Sequence, residues 1–168
     1  MTAWTPQIQV FDESHIRDLL TAYVQANQTE ALIWANNQRG QGLPGFTNFF
    51  RSPRLVTKFP SWTFISSDHT AKWNEILTVD YSLLIECALI HGDRDEAARQ
   101  AVVYAAAVES MLVNVPETTF SAESKIPITS TGMAVETKHA VQGQYKNGFI
   151  EVFQTTVKWE IEASAFET

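Results

Sequence analysis

Residues 78–116 read TVDYSLLIECALIHGDRDEAARQAVVYAAAVESMLVNVP, and this stretch decides the fold class. Val79, Tyr81, Leu83, Ile85, Cys87 and Leu89 alternate along it, which predicts a strand over Val79–Ile90 with one buried face. The short polar run His91–Gly92–Asp93–Arg94–Asp95 follows. A helix of about five turns is predicted from Glu96 to Val115, capped by Asp95 and stopped by Pro116. Ala98, Ala101, Val102, Ala105, Val108, Leu112 and Val115 form one apolar stripe on it. The opposite side carries Val103, Tyr104, Ala107 and Met111 among Gln100 and Glu109. A helix apolar nearly all round is buried on more than one side. A sheet covers one side; either the first helix or a neighbouring subunit covers the other. Val103, Tyr104, Ala107 and Met111 are therefore the candidate subunit-interface residues.

Upstream, Ser14 is a plausible N-cap, with Asp12, Glu13 and Asp18 placing negative charge near a helix N-terminus. Ile16, Leu19, Leu20 and Tyr23 follow at helical spacing, and a long helix runs to about Asn37, with a pause or kink at Asn27–Gln28–Thr29. Gly40, Gly42, Pro44 and Gly45 end it. Between Phe46 and Pro60 the chain is aromatic and basic, with a short strand at Arg54–Lys58 as the candidate element. Trp62, Phe64 and Ser66 alternate with Thr63 and Ile65 as a strand, and SSDHTAKWNE reads as a loop. Residues 117–131 are rich in Ser and Thr and read as an exposed excursion. Met133, Val135 and Thr137 suggest a strand, Asn147–Gly148 a hairpin turn, and Phe149–Ile161 a long half-buried strand. The expectation is one α+β domain over residues 1–168, with loop excursions at about 40–60 and 117–131. Its sheet is mainly antiparallel, packed by two principal helices on one face in the order α-β-β-α-β-β.

Net charge is −7, which disfavours general binding to nucleic acid or to anionic membranes. Arg51, Arg54 and Lys58 cluster locally and read as a solvated loop. Charged residues make up 18% of the chain, below the usual share of about 25%, and five Trp accompany them. That balance suits a protein that hides part of its surface in an oligomer. Cys87 is the only cysteine and sits mid-strand as a buried thiol. The first residues lack a basic start and a long apolar run, so no signal peptide is expected, and no window of the chain suits a membrane span. These features lead us to expect a protein made in the cytosol.

Chemistry is sparse. His15, His69, His91 and His139 have no partners at metal-ligand spacing, so no metal or cofactor is expected. Asp80 and Glu86 share the polar face of one strand, but no lysine follows Glu86 as a metal-dependent nuclease would need. The run from Gly40 to Gly45 is Gly-rich, but Pro44 and the lack of a preceding strand argue against a nucleotide loop. Trp62, Phe64 and Trp73 read as core aromatics, as do Phe149, Phe153 and Trp159.

Three segments carry a resemblance to a known family: the helix HIRDLLTAYV, the block DYSLLIECALIHGDRDEAARQAVVYAAAVESML, and the closing strands MAVETKHAVQG and FIEVFQTTVKWEIEA. Their order and texture resemble the tail-terminator, or tail-completion, proteins of long-tailed bacteriophages. The resemblance spans most of the chain except residues 40–60 and 117–131, and it rests on architecture rather than an invariant motif. It implies a non-enzymatic virion protein assembled in the host cytoplasm. Such a subunit closes with its own copies into a ring, a hexamer in that family. The ring caps the tail tube, ends its polymerisation and docks to the neck; a terminal sheath ring is a further partner in contractile tails. DNA would pass through the lumen without specific binding, helped by an acidic wall. The departures at 46–60 and 117–131 keep another neck or head–tail connector protein in view. Two further readings stand beside these: a small hydrolase using Asp80, Glu86, His91 or Asp93, and a ligand-binding module built on the aromatics of residues 62–73.

Overall fold

The alternating apolar residues of the central segment are buried by a sheet that helices cover on one side. The computed structural model describes residues 13–74, 76–115 and 128–163. In chain order the elements are α1 (Glu13–Arg39), β1 (Asn48–Phe50), β2 (Ser61–Asn74), β3 (Ile76–His91), α2 (Arg94–Val113), β4 (Ile128–Tyr145) and β5 (Gly148–Ala163). The strands form one sheet in the order β1-β2-β3-β5-β4. β1 runs parallel to β2, and the other neighbours pair antiparallel. The class is α+β, as the sequence indicates. The sheet, however, is mixed, and the order α-β-β-α-β-β leaves out β1.

β3 is central because one face is buried under the helices and both its edges are paired. Leu77, Val79, Tyr81, Leu83, Ile85, Cys87 and Leu89 are buried on one face. Phe153, Val157, Trp159 and Ile161 of β5 lie on the same face and are buried with them. Trp62, Phe64, Phe153 and Trp159 are the largest fully enclosed side chains. Each such burial stabilises the fold by about 1.5–3 kcal/mol, so these residues set the layer spacing.

The helices lie over that face. Arg17 of α1 donates to Ser67 Oγ at 2.6 and 3.0 Å, and its guanidinium sits 5.5 Å from the Phe64 ring centroid. Tyr104 of α2 packs its ring 5.0 Å from Phe46, which in turn contacts Trp62 at 6.2 Å. The two helices run antiparallel and are tied at both ends. Tyr23 Oη donates to the Asn114 carbonyl at 3.1 Å, and Gln41 Nε2 donates to Glu96 Oε1 at 3.0 Å.

Several boundaries differ from the sequence expectation, each for a local reason. α1 is unbroken through Asn27–Gln28–Thr29, and Ser14 lies inside its first turn rather than at a cap. The polar interruption has a use: Gln28 accepts from the Phe46 amide at 2.7 Å and donates to the Phe46 carbonyl at 3.0 Å, as a neighbouring strand would. Gly40 closes the helix at φ +63, a left-handed position that favours glycine. α2 starts two residues earlier than expected, with Asp93 rather than Asp95 as N-cap. Asp93 Oδ1 accepts from the Glu96 amide at 2.8 Å, and Asp95 and Glu96 then occupy the first turn, where negative charge is favourable. The segment Arg54–Lys58 is not a strand; the short strand is Asn48–Phe50. Asn48 Nδ2 donates to the Pro60 carbonyl at 3.1 Å, and Phe49 packs against Trp62.

The largest correction concerns SSDHTAKWNE. Its described residues are strand, not loop: β2 continues to Asn74, paired with Ile76 of β3. A bulge between Phe64 and Ser66 shifts the alternation, so Ser66 leaves the face of Trp62 and Phe64. Beyond Ser67 the strand is exposed on both faces, which is why its composition looks like a loop. Residues 128–131, expected in an exposed excursion, belong to β4, and the rest of that stretch, residues 117–127, lies outside the described residues. The β4–β5 hairpin forms as predicted, but its loop is Lys146–Asn147, with Lys146 at φ 54. Gly148 is already in β5. It is glycine because a Cβ there would sit 2.6 Å from Cγ1 and Cδ1 of Ile90.

Candidate functional site

Helices cover one face of the sheet, which leaves the even-numbered residues of β3 and β5 on the other. β3 presents Thr78, Asp80, Ser82, Leu84 and Glu86 and β5 presents Gln154, Thr156, Lys158, Glu160 and Glu162 at the polar end of this face; its other end is apolar, with Ala88 opposite Val152 and Ile90 opposite Ile150. The register sets them side by side: Asp80 opposite Glu160, Ser82 opposite Lys158, Glu86 opposite Gln154. Gln154 Nε2 donates to Glu86 Oε2 at 3.1 Å. Lys72 Nζ lies 3.5 Å from Asp80 Oδ2, and Lys138 Nζ lies 3.1 Å from Glu136 Oε1. A shallow hollow of about 510 Å³ lies over Asp68, Asp80, Ser82, Lys158 and Glu160. On this face Asp68, Asp80, Glu86, Glu136, Glu160 and Glu162 outweigh Lys72, Lys138 and Lys158. Like charges directly opposite on neighbouring strands destabilise a sheet, by up to about 1 kcal/mol for a pair. The Asp80–Glu160 pair is therefore not something the fold asks for.

The residues singled out as an interface do not reach the surface. Val103 is 1% exposed, Tyr104 2%, Ala107 0% and Met111 3%. They are core because α1 covers the side of α2 that the sheet does not. Tyr104 Oη donates to the Pro44 carbonyl at 2.7 Å, and burial pushes its pKa from 10.0 up to about 12. The exposed apolar residues of α2 are instead Val102 and Val113. Val102 falls on the apolar stripe by spacing but is 43% exposed.

The candidate hydrolase residues do not converge. Asp80 and Glu86 are separated by about 20 Å along β3. Asp93 caps α2, and the His91 ring accepts from the Asp93 amide at 3.0 Å, so both serve the turn. Among the described residues, no group of three or more His, Cys, Asp or Glu side chains is arranged to hold a metal ion. His69 instead meets Glu13 at 2.7 Å. Cys87 is buried, and burial first, then the neighbouring Glu86 charge, pushes its thiol pKa up. Of the aromatic trio, Trp62 and Phe64 are core, whereas Trp73 is exposed near the tip of the β2–β3 hairpin with Ile76. The basic loop is exposed: Arg51 pairs with Asp18, Arg54 stacks on Phe50 with its guanidinium 4.5 Å from the ring centroid, and Leu55 projects at 89% exposure.

The chain was compared with known protein families and with curated proteins, and it matches none of them. Among the described residues, no helix is long and apolar enough to cross a membrane.

The sequence reading missed the exposed apolar points, and it placed Asp80 and Glu86 on a polar strand face without the pairing of that face to β5. Exposure of Trp73 follows from a strand that runs past the helical layer, and no spacing signal marks that. The polar face was legible as the even parity of β3 and β5. Its like-charged pairing depends on a β3–β5 register that joins residues 80 positions apart, Asp80 and Glu160.

Proposed function

We propose that this chain is the subunit of a phage tail-terminator ring. It closes head to tail with copies of itself, caps the tail tube, stops its growth and offers the surface that joins tail to neck. The observation that carries this reading is the helix-free sheet face, which is net acidic where it is open around Asp80, Lys158 and Glu160 and closed at its other end over Ser61, Thr63 and Ala88. A flat polar wall of this kind suits a channel through which DNA passes: clustered carboxylates repel phosphates, so the duplex slides without being held. The placement of the acidic face toward the lumen belongs to the proposal. Six-fold closure, docking to a tail tube and to a neck or sheath ring, and assembly in the host cytoplasm belong to it as well.

The test is native mass spectrometry of the 18.9 kDa chain, alone and after addition of assembled tail tubes, followed by imaging of tube ends. A hexameric species seated on tube ends is expected. A ring that binds neck components but ignores tube ends moves the protein to a connector role. A chain that stays monomeric and ignores tubes removes the assembly reading. For the lumen, rings carrying Asp80→Lys and Glu160→Lys are expected to retain duplex DNA in a filter-binding assay, while the unmodified ring does not. Equal retention by both sinks the idea of an acidic channel wall.

A further inference from the structure

Among the described residues, both edges of the sheet lack a partner strand over most of their length. On one side β1 pairs only with Ser61–Thr63 of β2, so no described strand flanks β2 from Phe64 to Asn74. On the other side β4 pairs with β5 along its inner edge, and no described strand flanks its outer edge from Ile128 to Tyr145. Each bare edge presents alternating backbone N–H and C=O groups over about 35 Å or more. Soluble proteins normally blunt such edges with proline, lysine, bulges, very short strands or a covering loop; here β2 carries Lys72 and a bulge at Phe64/Ser66, and β4 carries Lys138 and irregularities at Ser130/Gly132 and His139/Gln142. Neither β2 nor β4 contains a proline, and both are long. From Asp68 to Asn74, β2 is exposed on both faces, as a projecting arm.

We propose that these two edges are halves of one joint. In it, β2 of one copy pairs antiparallel with β4 of the next, so that the sheet continues from subunit to subunit. The closure of that series into a ring rests on the function proposed above; the joint itself rests on topology, charge and exposure.

The strand directions permit it. β2 is antiparallel to β3, β3 to β5 and β5 to β4, so β2 and β4 point opposite ways within one subunit. Copies added head to tail then bring β2 and β4 together antiparallel, with uncovered faces on one side and helices on the other. The side chains permit it as well. Asp68, Thr70 and Lys72 share the uncovered face of β2, and Ala134, Glu136 and Lys138 share that of β4. With Thr70 opposite Glu136, Asp68 stands directly opposite Lys138, and Lys72 sits across the diagonal from Glu136. Both are complementary contacts at cross-strand reach. On the helical face the same register sets Ala71 opposite the half-buried Val135, with Trp73, 58% exposed, across the diagonal from it. A head-to-tail joint uses both edges of every copy. A two-fold joint about either edge leaves the other bare, so the heterologous arrangement is the one that satisfies the backbone.

The test uses the full chain with single cysteines at the facing positions, Thr70→Cys and Glu136→Cys, and a short bis-maleimide cross-linker. Cys87 is fully buried and stays silent. Neither single variant is expected to cross-link with itself, a mixture of the two is expected to give dimers, and the double variant a ladder ending at the closed assembly. In parallel, Asp68→Lys and Lys138→Asp are each expected to raise the half-assembly concentration about tenfold, and together to restore it. Self-linking of the Glu136→Cys variant alone overturns the head-to-tail joint in favour of a two-fold one. A ring seen by native mass without any β2–β4 cross-link overturns the joint and leaves the terminator reading standing. A chain that stays monomeric at high concentration and on tail tubes overturns both.

Discussion

Tyr104→Phe separates core from interface at a position where the sequence points to the surface. Tyr104 is 2% exposed, and its hydroxyl donates to the Pro44 carbonyl at 2.7 Å. Removing the hydroxyl leaves the ring packing intact and the Pro44 carbonyl without this donor, which costs about 1.5 kcal/mol near neutral pH. For a chain of this size that corresponds to a fall in Tm of about 3–6 °C. The difference must then shrink with pH. Burial raises the Tyr104 pKa from 10.0 to about 12, because the folded state disfavours the phenolate. Below pH 10 folded and unfolded chains both keep the proton, so the wild type keeps its full advantage. As pH rises from 10 toward 12 the unfolded chain gives up its proton first, and the wild type loses stability that the phenylalanine variant does not have to lose. At about pH 11 this loss is about 1.4 kcal/mol, close to the value of the hydrogen bond, so the two stability curves should meet there. Urea unfolding followed by tryptophan fluorescence, at about pH 7 and in steps to about pH 11, measures the gap directly. A gap that stays constant over that range refutes the burial argument. A change in oligomer mass on Tyr104→Phe would put the residue back at an interface.

Three further perturbations follow from the same coordinates. Gly148→Ala places a methyl 2.6 Å from Ile90 and should cost about 1–3 kcal/mol; adding Ile90→Ala should recover part of that loss, and strict additivity in the double-mutant cycle argues against the clash. Gln28→Leu removes both bonds to the Phe46 backbone and should destabilise by about 2 kcal/mol, with faster amide exchange at Phe46; unchanged protection there would show that the side chain is not acting as a strand partner. Arg17→Lys keeps the charge but loses the fork that reaches Ser67 and the Arg51 carbonyl, so it should lose about 1 kcal/mol in thermal unfolding; a lysine variant as stable as wild type would mean that charge alone suffices.

The parts of the fold legible in the sequence were those whose side chains alternate or repeat against a buried surface. β3 and β5 declare themselves because Tyr81, Leu83, Ile85, Phe153 and Val157 sit on one covered face. α2 was legible for the same reason, although its cap was read at Asp95 instead of Asp93. What failed was the assignment of coverage. The all-round apolar character of α2 says that two surfaces meet it, but not that α1 is the second, so Val103, Tyr104, Ala107 and Met111 were read outward. The arm of β2 failed for the converse reason. Asp68–Asn74 buries little, so its strand geometry is enforced by backbone pairing with β3 and leaves no hydrophobic period to find. The uncovered acidic face was half legible: its parity lay in the sequence, while its like-charged pairing required a register joining Asp80 to Glu160.

The position of β5 has a consequence for how the molecule is made. It is the last described strand in chain order, yet it lies between β3 and β4, pairing Leu77 with Ala163 across about half of the chain's length. During synthesis the β2–β3 hairpin and α2 are complete long before β3 gains its second neighbour. Contacts so distant along the chain form late, and the local hairpins must wait for them. A chain broken before residue 148 therefore holds no β5, and without β5 nothing in the sheet holds β4 in place. Such a fragment has no far edge to offer to another copy. Were copies to join through β2 and β4 as proposed, the late arrival of this interior strand would work as an inspection step: a subunit would become joinable on its second side only after its own sheet is finished.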